Sequence, residues 1–557
     1  MFELTYIAAA AALLLGPRIV RRLTLSAAKD MSLAGHVRMA KRVSKWIPSY
    51  DLIDDVFYAA DGATSVIAEH RKAGFLALAD RLETRSPRTI SATAEARETL
   101  SDLQLISRNR APFPFRRHVQ KHLKIGSFWA SAQGTSLTDL DGNAFIDLTG
   151  SYGVNLLGAD FYKENMRETF PTAATLGATL GGYQPQVLET LAILRRISGM
   201  DEMSFHMSGT EAVMQAVRLA RYHTGKRYMV RFAGAYNGWW EDTQPGPGNP
   251  LPPGYTYTLR DMHANTLRVL RQRRDIACVV INPVQAMHPN RMAPGDSTLI
   301  AGSRKTNYDR EAYTQWLKQL RAVCTQRGIV LIMDEVFVGF RLAKGGAQAY
   351  FDVQADLVTY GKTLGGGYPV GVVCGKRALM RRFKEDKPGD ICFARGTFNA
   401  HPHVMAAMHG FLKHIETPGM IATYADLDDI WHRRTTQFNL AMVAAGLPVQ
   451  ATSMSTIWSI SYTQPSRYHW LYQYYLRDAG LALSWIGTGR LIFTLNFTEE
   501  NMQTVIERFV DAGKKMCADG WWSQIDPAQT KPDQLTLKTI RKQLLREIVS
   551  TKLGFSR

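Results

Sequence analysis

Cysteine is scarce in this sequence, and the few cysteines are scattered along the chain. They are Cys278, Cys324, Cys374, Cys392 and Cys517, and none of them stands in a C-x-x-C pair. This spacing argues against a zinc site and against a disulfide scaffold. We therefore expect no metal site and a reducing compartment.

Acidic residues are also in deficit, with 49 against 67 basic ones, and the formal net charge is +18. This balance favours anionic partners such as phosphorylated cofactors, carrier proteins, nucleic acid or anionic lipid. No nucleic-acid recognition motif accompanies the charge, so we do not expect nucleic acid as a partner. One basic stretch predicts either a docking surface for an acyl carrier protein or a solvated face; it contains Arg108, Arg110, Arg116, Arg117 and Lys121.

The apolar run near the N-terminus is short for a full membrane span, which takes about 20 residues, so it predicts a marginal span or a monotopic anchor. It extends from Tyr6 to Leu15, and the arginine cluster that begins at Arg18 follows it. A secretory signal peptide has its positive charge before the apolar run, so this order argues against one. Because basic residues stay in the cytosol, we expect 1–24 to anchor the protein to the cytoplasmic face of a membrane. An Ala/Leu-rich helix packed on the protein is the alternative.

The rest of the chain falls into four segments. Residues 25–118 have the pattern of a polar, basic, helical extension, and 119–425 alternate short apolar strands with helices. That alternation predicts an α/β domain with a mostly parallel sheet. Residues 426–520 have an α+β pattern and predict a smaller domain, and 521–557 predict a basic helical tail.

A glycine-framed lysine carries the first chemical signal. Lys362 follows the apolar run Leu357–Tyr360 and precedes the triple glycine Gly365–Gly367. Glycines permit close approach of the backbone and positive φ angles. A lysine on such a loop can be held at one angle to a bound aldehyde; a surface lysine in a flexible turn is the alternative.

An aspartate at the end of a predicted strand carries the second signal. Asp334 follows the apolar run Ile329–Met333, and a carboxylate there is costly unless it is paired. Ligands of open α/β sheets bind at the carboxyl ends of the strands, so this aspartate is a candidate to hold a cationic ring nitrogen. An aspartate that caps the next helix is the alternative.

Small residues before a predicted helix carry the third signal. Ser208, Gly209 and Thr210 precede the helical pattern that starts at Glu211. The N–H groups of a helix N-terminus attract an anion, so these residues predict a phosphate site, with an ordinary helix cap as the alternative. The G-x-x-x-x-G-K pattern of a Walker loop is absent.

Together, the three motifs resemble the class III aminotransferases, fold-type I enzymes that depend on pyridoxal 5′-phosphate (PLP) and include glutamate-1-semialdehyde aminomutase. The family pattern around the lysine appears in order at Asp334–Val336, Gly339–Arg341, Asp356–Leu357, Gly361–Lys362 and Gly365–Gly367. The resemblance covers about 119–520. It implies a fold-type I PLP-transferase with a large, mostly parallel sheet domain, a smaller α+β C-terminal domain and a helical N-terminal extension.

The resemblance also implies roles at the matching residues. Lys362 would hold PLP as a Schiff base and then move protons, and Asp334 would pair with the protonated ring nitrogen. The cup formed by Ser208, Gly209 and Thr210 would bind the phosphate.

Further cofactor contacts follow from the same resemblance. Tyr236 would stack on the ring, with Val336 on the opposite face, and Gln285 would reach the ring hydroxyl. Thr397 would touch the phosphate of the neighbouring subunit, which implies a homodimer with shared active sites. Arg490 would clamp a substrate carboxylate through a bidentate pair, with a surface arginine as the alternative.

Two positions depart from the family pattern. Asn237 stands where the family usually has histidine, and Asn282 where it usually has glutamate. Both weaken any transfer of substrate specificity. We predict an aminotransferase that moves an amino group from an amino-acid donor to an aldehyde or ketone acceptor, hydrophobic or carrier-bound, in a biosynthetic pathway. A glutamate-1-semialdehyde-type 2,1-aminomutase, which is an isomerase, is the alternative.

Overall fold

The computed structural model describes residues 16–244, 246–291, 308–484, 489–522 and 542–550. The helices are α1 (16–27), α2 (Val37–Trp46), α3 (Asp54–Tyr58), α4 (Ser65–Arg85), α5 (Pro87–Thr99), α6 (Ser101–Asn109), α7 (Arg116–His122), α8 (Ala159–Ala174), α9 (Gln186–Ser198), α10 (Gly209–Thr224), α11 (Ala264–Gln272), α12 (Arg310–Arg327), α13 (Gly346–Phe351), α14 (Arg377–Met380), α15 (Pro402–Ile415), α16 (Pro418–Ala425), α17 (Leu427–Ala444), α18 (Tyr472–Asp478), α19 (Glu499–Ala518) and α20 (542–550).

The strands form four sheets. They are β1 (Ser131–Gln133), β2 (Ser136–Thr138), β3 (Ala144–Asp147), β4 (Glu202–His206), β5 (Tyr228–Phe232), β6 (Thr256–Leu259), β7 (Ile276–Ile281), β8 (Val330–Asp334), β9 (Leu357–Gly361), β10 (Gly371–Gly375), β11 (Phe383–Lys384), β12 (Lys387–Ile391), β13 (Val449–Met454), β14 (Ile457–Tyr462), β15 (Leu481–Ala482) and β16 (Arg490–Ile492).

The first of two compact units contains a seven-stranded sheet in the order β4-β10-β9-β8-β7-β5-β6. All neighbours pair in parallel except β10, which is antiparallel to both β4 and β9. The strands β7 and β8 are buried along their whole length, as expected of strands covered on both faces. The predicted fold class, an α/β fold with a mostly parallel sheet, is confirmed.

The edge of this sheet positions the chemistry. The parallel strands β5, β7, β8 and β9 all end on the same side. The segments that follow them contain Tyr236, Gln285, Val336 and Lys362, so the topology gathers side chains that are far apart in the sequence.

The second unit combines 45–164 with 426–484, 489–522 and 542–550. In it β3 pairs in parallel with β15, and β13, β14 and β16 form an antiparallel sheet. The buried guanidinium of Arg71 donates to both Asp61 carboxylate oxygens, at 2.8 Å each, and to the carbonyls of Tyr58 and Gly520. The N-terminal extension is therefore bonded through Arg71 to Gly520, which lies just after the end of α19.

The basic stretch of the extension is not solvated throughout. Arg117 and Lys121 are exposed, but Arg110 is only partly exposed, and burial lowers its pKa. The alternative of a solvated basic face therefore holds for Arg117 and Lys121, while Arg110 is only partly solvated. An acyl carrier protein as partner stays a prediction.

Within the described ranges, no helix combines the length and the apolar character needed to cross a membrane. The apolar run Tyr6–Leu15 lies outside those ranges.

Candidate active site

Asp334 ends β8 and is buried. Its Oδ2 accepts a hydrogen bond from Asn237 Nδ2 at 2.8 Å, and its Oδ1 accepts from Thr359 Oγ1 and from the N–H of Val336, each at 3.2 Å. Burial raises the pKa of Asp334, and these donors together with the charge of Lys362 oppose that rise. The predicted aspartate is thus a buried carboxyl group that accepts three hydrogen bonds, retains acceptor capacity on Oδ2 and lies within electrostatic reach of the predicted lysine.

Lys362 follows β9 and has a φ of 48°, in the left-handed region that residues other than glycine seldom adopt. Its Nζ lies 5.3 Å from the centroid of the Phe337 ring. Backbone strain of this kind persists only where the surroundings impose it, and it concentrates at functional sites.

The N-terminus of α10 has the form of an anion cup. Ser208 caps the helix, because its hydroxyl accepts from the N–H of Glu211 at 3.2 Å. Within the described chain no acceptor contacts the N–H groups of Gly209 or Thr210. These two N–H groups and the helix dipole are available to a phosphate.

Val336 joins the cup to the strands that carry the aspartate and the lysine. A Cβ atom added at Gly209 would lie 2.5 Å from Val336 Cγ1, and one added at Gly361 would lie 3.2 Å from the same atom. The close approach at Gly209 admits only glycine. The three motifs, predicted separately from the sequence, therefore meet around one valine.

Tyr236 and Gln285 are held by backbone bonds. The carbonyl of Tyr236 accepts from Asn282 Nδ2 at 2.7 Å, and its side chain is 52% exposed. Gln285 Nε2 lies within 3.0 Å of the carbonyls of Ala233, His288 and Arg291. An amide nitrogen has two hydrogens, and these three carbonyls already use both. Only the side-chain carbonyl oxygen of Gln285 is therefore available to a ligand.

The remaining two predicted residues are Thr397 and Arg490. Thr397 is exposed on the first unit. Arg490 begins β16 in the second unit, and burial lowers its pKa to about 10.

Two residues at the site escaped prediction, and both were noted only as departures from a pattern. Asn237 makes the shortest of the three bonds to Asp334, and Asn282 holds the backbone of Tyr236. Asn237 is buried, and its Oδ1 accepts no hydrogen bond from any described residue. The only signal in the sequence was their position beside an expected ring-stacking tyrosine and before an expected glutamine.

These residues fit PLP. A buried carboxylate suits a protonated pyridine nitrogen, two unpaired N–H groups at a helix N-terminus suit a phosphate, and a lysine lies near both. PLP, when bound, supplies an electron sink for bonds to the carbon that bears the amino group. Fold and site together define a PLP-dependent transferase of fold-type I.

The family follows from comparison with known proteins. The family model described as Aminotransferase class-III matches residues 118–243 and 309–512, more than half of the chain. The chain belongs to this family and is a PLP-dependent enzyme of the transaminase type.

Individual relatives are consistent with this assignment. The chain is 32% identical over 350 residues to a glutamate-1-semialdehyde 2,1-aminomutase of Methanococcus maripaludis strain C5, which covers 59% of this chain and 70% of that protein. It is 30% identical over 392 residues to the enzyme of the same name from Geotalea daltonii, covering 66% and 85%. A solved β-phenylalanine aminotransferase from Variovorax paradoxus shares the fold, with a TM-score of 0.62 and 22% identity over 81% of this chain and 98% of that chain.

Proposed function

We propose that this enzyme moves an amino group from an amino-acid donor to an aldehyde or ketone acceptor. The observation that carries the proposal is the buried Asp334 carboxyl group, whose charged form is favoured by three hydrogen-bond donors and by Lys362 at the edge of the sheet. A carboxylate held in this way keeps a ring nitrogen protonated, which amino transfer requires.

Each residue of the site has a task in this proposal. Lys362 takes a proton from the donor carbon in one half of the reaction and gives a proton to the acceptor carbon in the other half. The N–H groups of Gly209 and Thr210 hold the phosphate, and Tyr236 covers one face of the ring. Val336 limits the other face, and the Gln285 carbonyl oxygen accepts from the ring hydroxyl.

The absorbance of the purified protein tests the cofactor assignment. The enzyme should show a visible band that falls when a competent amino donor is added. Lys362→Ala should lose the band, while Lys376→Ala, which replaces a lysine paired with Asp356 instead, should keep it. A band that persists in Lys362→Ala would show that another residue holds the cofactor.

An aminomutase is the second candidate, because the relatives cited above have that name. An aminomutase moves the amino group within one molecule, whereas a transaminase converts the donor to a keto acid. Stoichiometric keto acid from glutamate or alanine would support the transaminase. Isomerisation of an amino aldehyde without keto acid would support the aminomutase.

We further propose that Arg490 binds the donor carboxylate. A guanidinium whose pKa is lowered by burial gains from a carboxylate partner. Arg490→Lys should raise the KM for an α-amino acid donor and leave the KM for an amine without a carboxylate unchanged. An equal rise in KM for both donors would show that Arg490 does not bind the donor carboxylate.

We infer a hydrophobic or carrier-bound acceptor, in a biosynthetic pathway. The support is Trp239, which is 74% exposed and stands three residues after Tyr236. Trp239→Ala should lower kcat/KM more for a long-chain aldehyde than for a short one. An equal loss of kcat/KM with the two aldehydes would contradict a hydrophobic acceptor and favour a polar one.

We infer a homodimer in which Thr397 contacts the phosphate of the neighbouring subunit. Homodimers are typical of this family, and the segment around Thr397 is rich in exposed apolar side chains, among them Ile391, Phe393 and Phe398. Phe393→Asp should shift the protein toward monomer in sedimentation experiments and weaken PLP binding. A stable dimer in this variant would place the interface elsewhere.

We also infer attachment to the cytoplasmic face of a membrane. Helix α1 exposes Ile19, Val20 and Leu23 beside arginines, which suits an anionic lipid surface. Release from membranes by high salt would indicate attachment by charge alone, and retention would indicate insertion. Recovery in the soluble fraction at low salt would contradict the proposal.

A further inference from the structure

A small pocket lies in the second unit, between the N-terminal extension and the C-terminal part of the chain. Its lining includes Arg85, Ser86, Lys124, Gly126, Phe145 and Arg477, and it encloses about 230 Å³ including its open mouth. None of these residues belongs to the amino-transfer site. Its enclosed part has room for about one water-sized group, so a ligand would place a single oxygen atom or a small end group there and extend into the open mouth.

Two guanidinium groups lie against one aromatic ring in this lining. Arg477 Cζ is 3.8 Å and Arg85 Cζ is 4.9 Å from the centroid of the Phe145 ring, and Arg477 Cζ is also 4.7 Å from that of Trp129. Aromatic faces compensate a cation only in part. Among the described residues no carboxylate forms an ion pair with either arginine.

The nearby carboxylates already have other hydrogen-bond or ion-pair partners. Asp139 Oδ2 accepts from Ser86 Oγ at 2.7 Å and Asn143 also donates to this carboxylate, while Glu83 pairs with Lys124 at 2.8 Å. Burial lowers the pKa of Arg477 to about 9; nearby arginines contribute to this fall, and Asp139 opposes it. The lining thus has an excess of positive charge.

Backbone donors point to the same conclusion. The segment 123–126 is irregular, and Gly126 is buried. No acceptor in the described part of the chain contacts the N–H groups of Ile125 or Gly126. A buried N–H without an acceptor is rare in proteins, because the lost hydrogen bond costs free energy.

Arg85 also caps a helix, whereas Arg477 does not. Arg85 donates to the carbonyl of Asp478 at 2.6 Å, and Arg508 donates to that of Gly480 at 2.7 Å, so both arginines cap the C-terminal end of α18. The guanidinium of Arg477 makes no such bond among the described residues. Arg477 is therefore the residue that a helix cap does not explain.

We propose that this pocket binds a small oxyanion of the phosphate or carboxylate type, with Arg477 as its main ligand and Lys124 at its mouth. A guanidinium fork and neighbouring N–H groups match the oxygens of such an anion better than they match a halide. The bound anion would balance the charge of Arg85 and Arg477 and strengthen the link between the extension and α18.

Calorimetric titration and thermal unfolding of the PLP-loaded enzyme test this proposal, with inorganic phosphate, acetate and chloride at equal ionic strength. Loading with PLP fills the phosphate cup at α10, and a constant visible absorbance shows that the cofactor is not displaced. The oxyanions should raise Tm and chloride should not. A response to phosphate alone would identify the phosphate type, and a response to both would identify a general oxyanion site.

Variants assign the binding to the pocket. Arg477→Met should weaken oxyanion binding at least ten-fold, and Lys124→Met, at an exposed position, about three-fold. Arg117→Met, which removes an exposed charge from the same basic stretch, is the matched control and should bind like the unaltered enzyme. If Arg477→Met does not fold, Lys124→Met alone decides. Equal binding by Lys124→Met and Arg117→Met, or no oxyanion response at all, would overturn the proposal.

Discussion

At the scale of single residues, Asp334 depends on its neighbours for its charge. Burial favours the protonated acid, and three hydrogen-bond donors and Lys362 favour the carboxylate. The strongest of the donors by distance is Asn237, an amide that brings no charge of its own. A neutral donor keeps its effect at every pH, whereas an imidazole at that position would change its charge near neutrality.

Replacing Asn237 should therefore weaken cofactor binding. Asn237→Ala removes a hydrogen bond to a charged group, which contributes about 1.5–3 kcal/mol, so the Kd for PLP should rise at least about ten-fold. The acid limb of PLP binding should also move to higher pH, because Asp334 loses a bond that lowers its pKa. Asn439→Ala, which removes a distant amide bonded to Ala451, is the control, and both are measured by absorbance titration across pH. Equal affinities in the two variants would contradict this assignment.

Gly209 offers a second test, based on shape. In Gly209→Ala the new Cβ would lie 2.5 Å from Val336 Cγ1, so the cup must shift and lose phosphate contacts. The Kd for PLP should rise at least about ten-fold, and adding Val336→Ala should recover part of the loss. Gly419→Ala, where no atom lies within 4 Å of the new Cβ, should bind PLP normally. A Gly209→Ala enzyme with normal affinity would mean that the cup is wider than described.

At the scale of elements, local patterns predicted more than distant contacts. Leu357–Tyr360 and the triple glycine predicted the environment of Lys362, because a strand followed by glycines can be recognised from a few neighbouring residues. The bond between Asn237 and Asp334 joins residues 97 positions apart, and no local pattern encodes it. The same limit applies to Arg110. Its charge predicted a solvent-exposed side chain, but the fold of the protein partly buries it.

Hydrogen bonds between residues that are distant in the sequence also determine how the N-terminal extension is attached. The sequence predicted helices there without a partner, whereas Arg71 bonds Tyr58, Asp61 and Gly520 into one cluster. Such a link requires a side chain that fits several acceptors at once, which the fork of arginine provides.

Arg71→Met should therefore lower the free energy of unfolding by about 2 kcal/mol, because it leaves the carbonyls of Tyr58 and Gly520 without their donor. Denaturant unfolding followed by tryptophan fluorescence measures the change. Lys72→Met is the matched control; it removes an exposed ion pair with Asp55 at the next position, which contributes little. A similar small loss in both variants would mean that the extension is held by its apolar contacts alone.

At the scale of the whole molecule, buried histidines make the fold sensitive to acid, whereas buried acids such as Glu335, whose pKa burial raises to about 8, act in the opposite direction. Burial lowers the pKa of His118 and His206 to about 4 and that of His469 to about 3. His118 Nδ1 accepts from the N–H of Asp54, and His469 Nδ1 accepts from Trp522 Nε1, so protonation would break a bond in each case. These folded-state pKa values lie below the unfolded value of about 6.5.

The sign of the pH dependence follows from that difference. Below about pH 6.5 these histidines bind protons in the unfolded chain but not in the folded chain, so the stability that they contribute is complete above pH 6.5 and is lost as the pH drops toward 4. Each histidine should contribute on the order of 3 kcal/mol to the loss by pH 4. His118→Phe, which keeps a ring beside Phe57 but cannot bind a proton, should flatten the decline of Tm between pH 6.5 and 4, although its Tm at pH 7.5 is lower. The same substitution at the exposed His432 should leave the decline unchanged, and equal slopes for the two variants would assign the acid response to other groups.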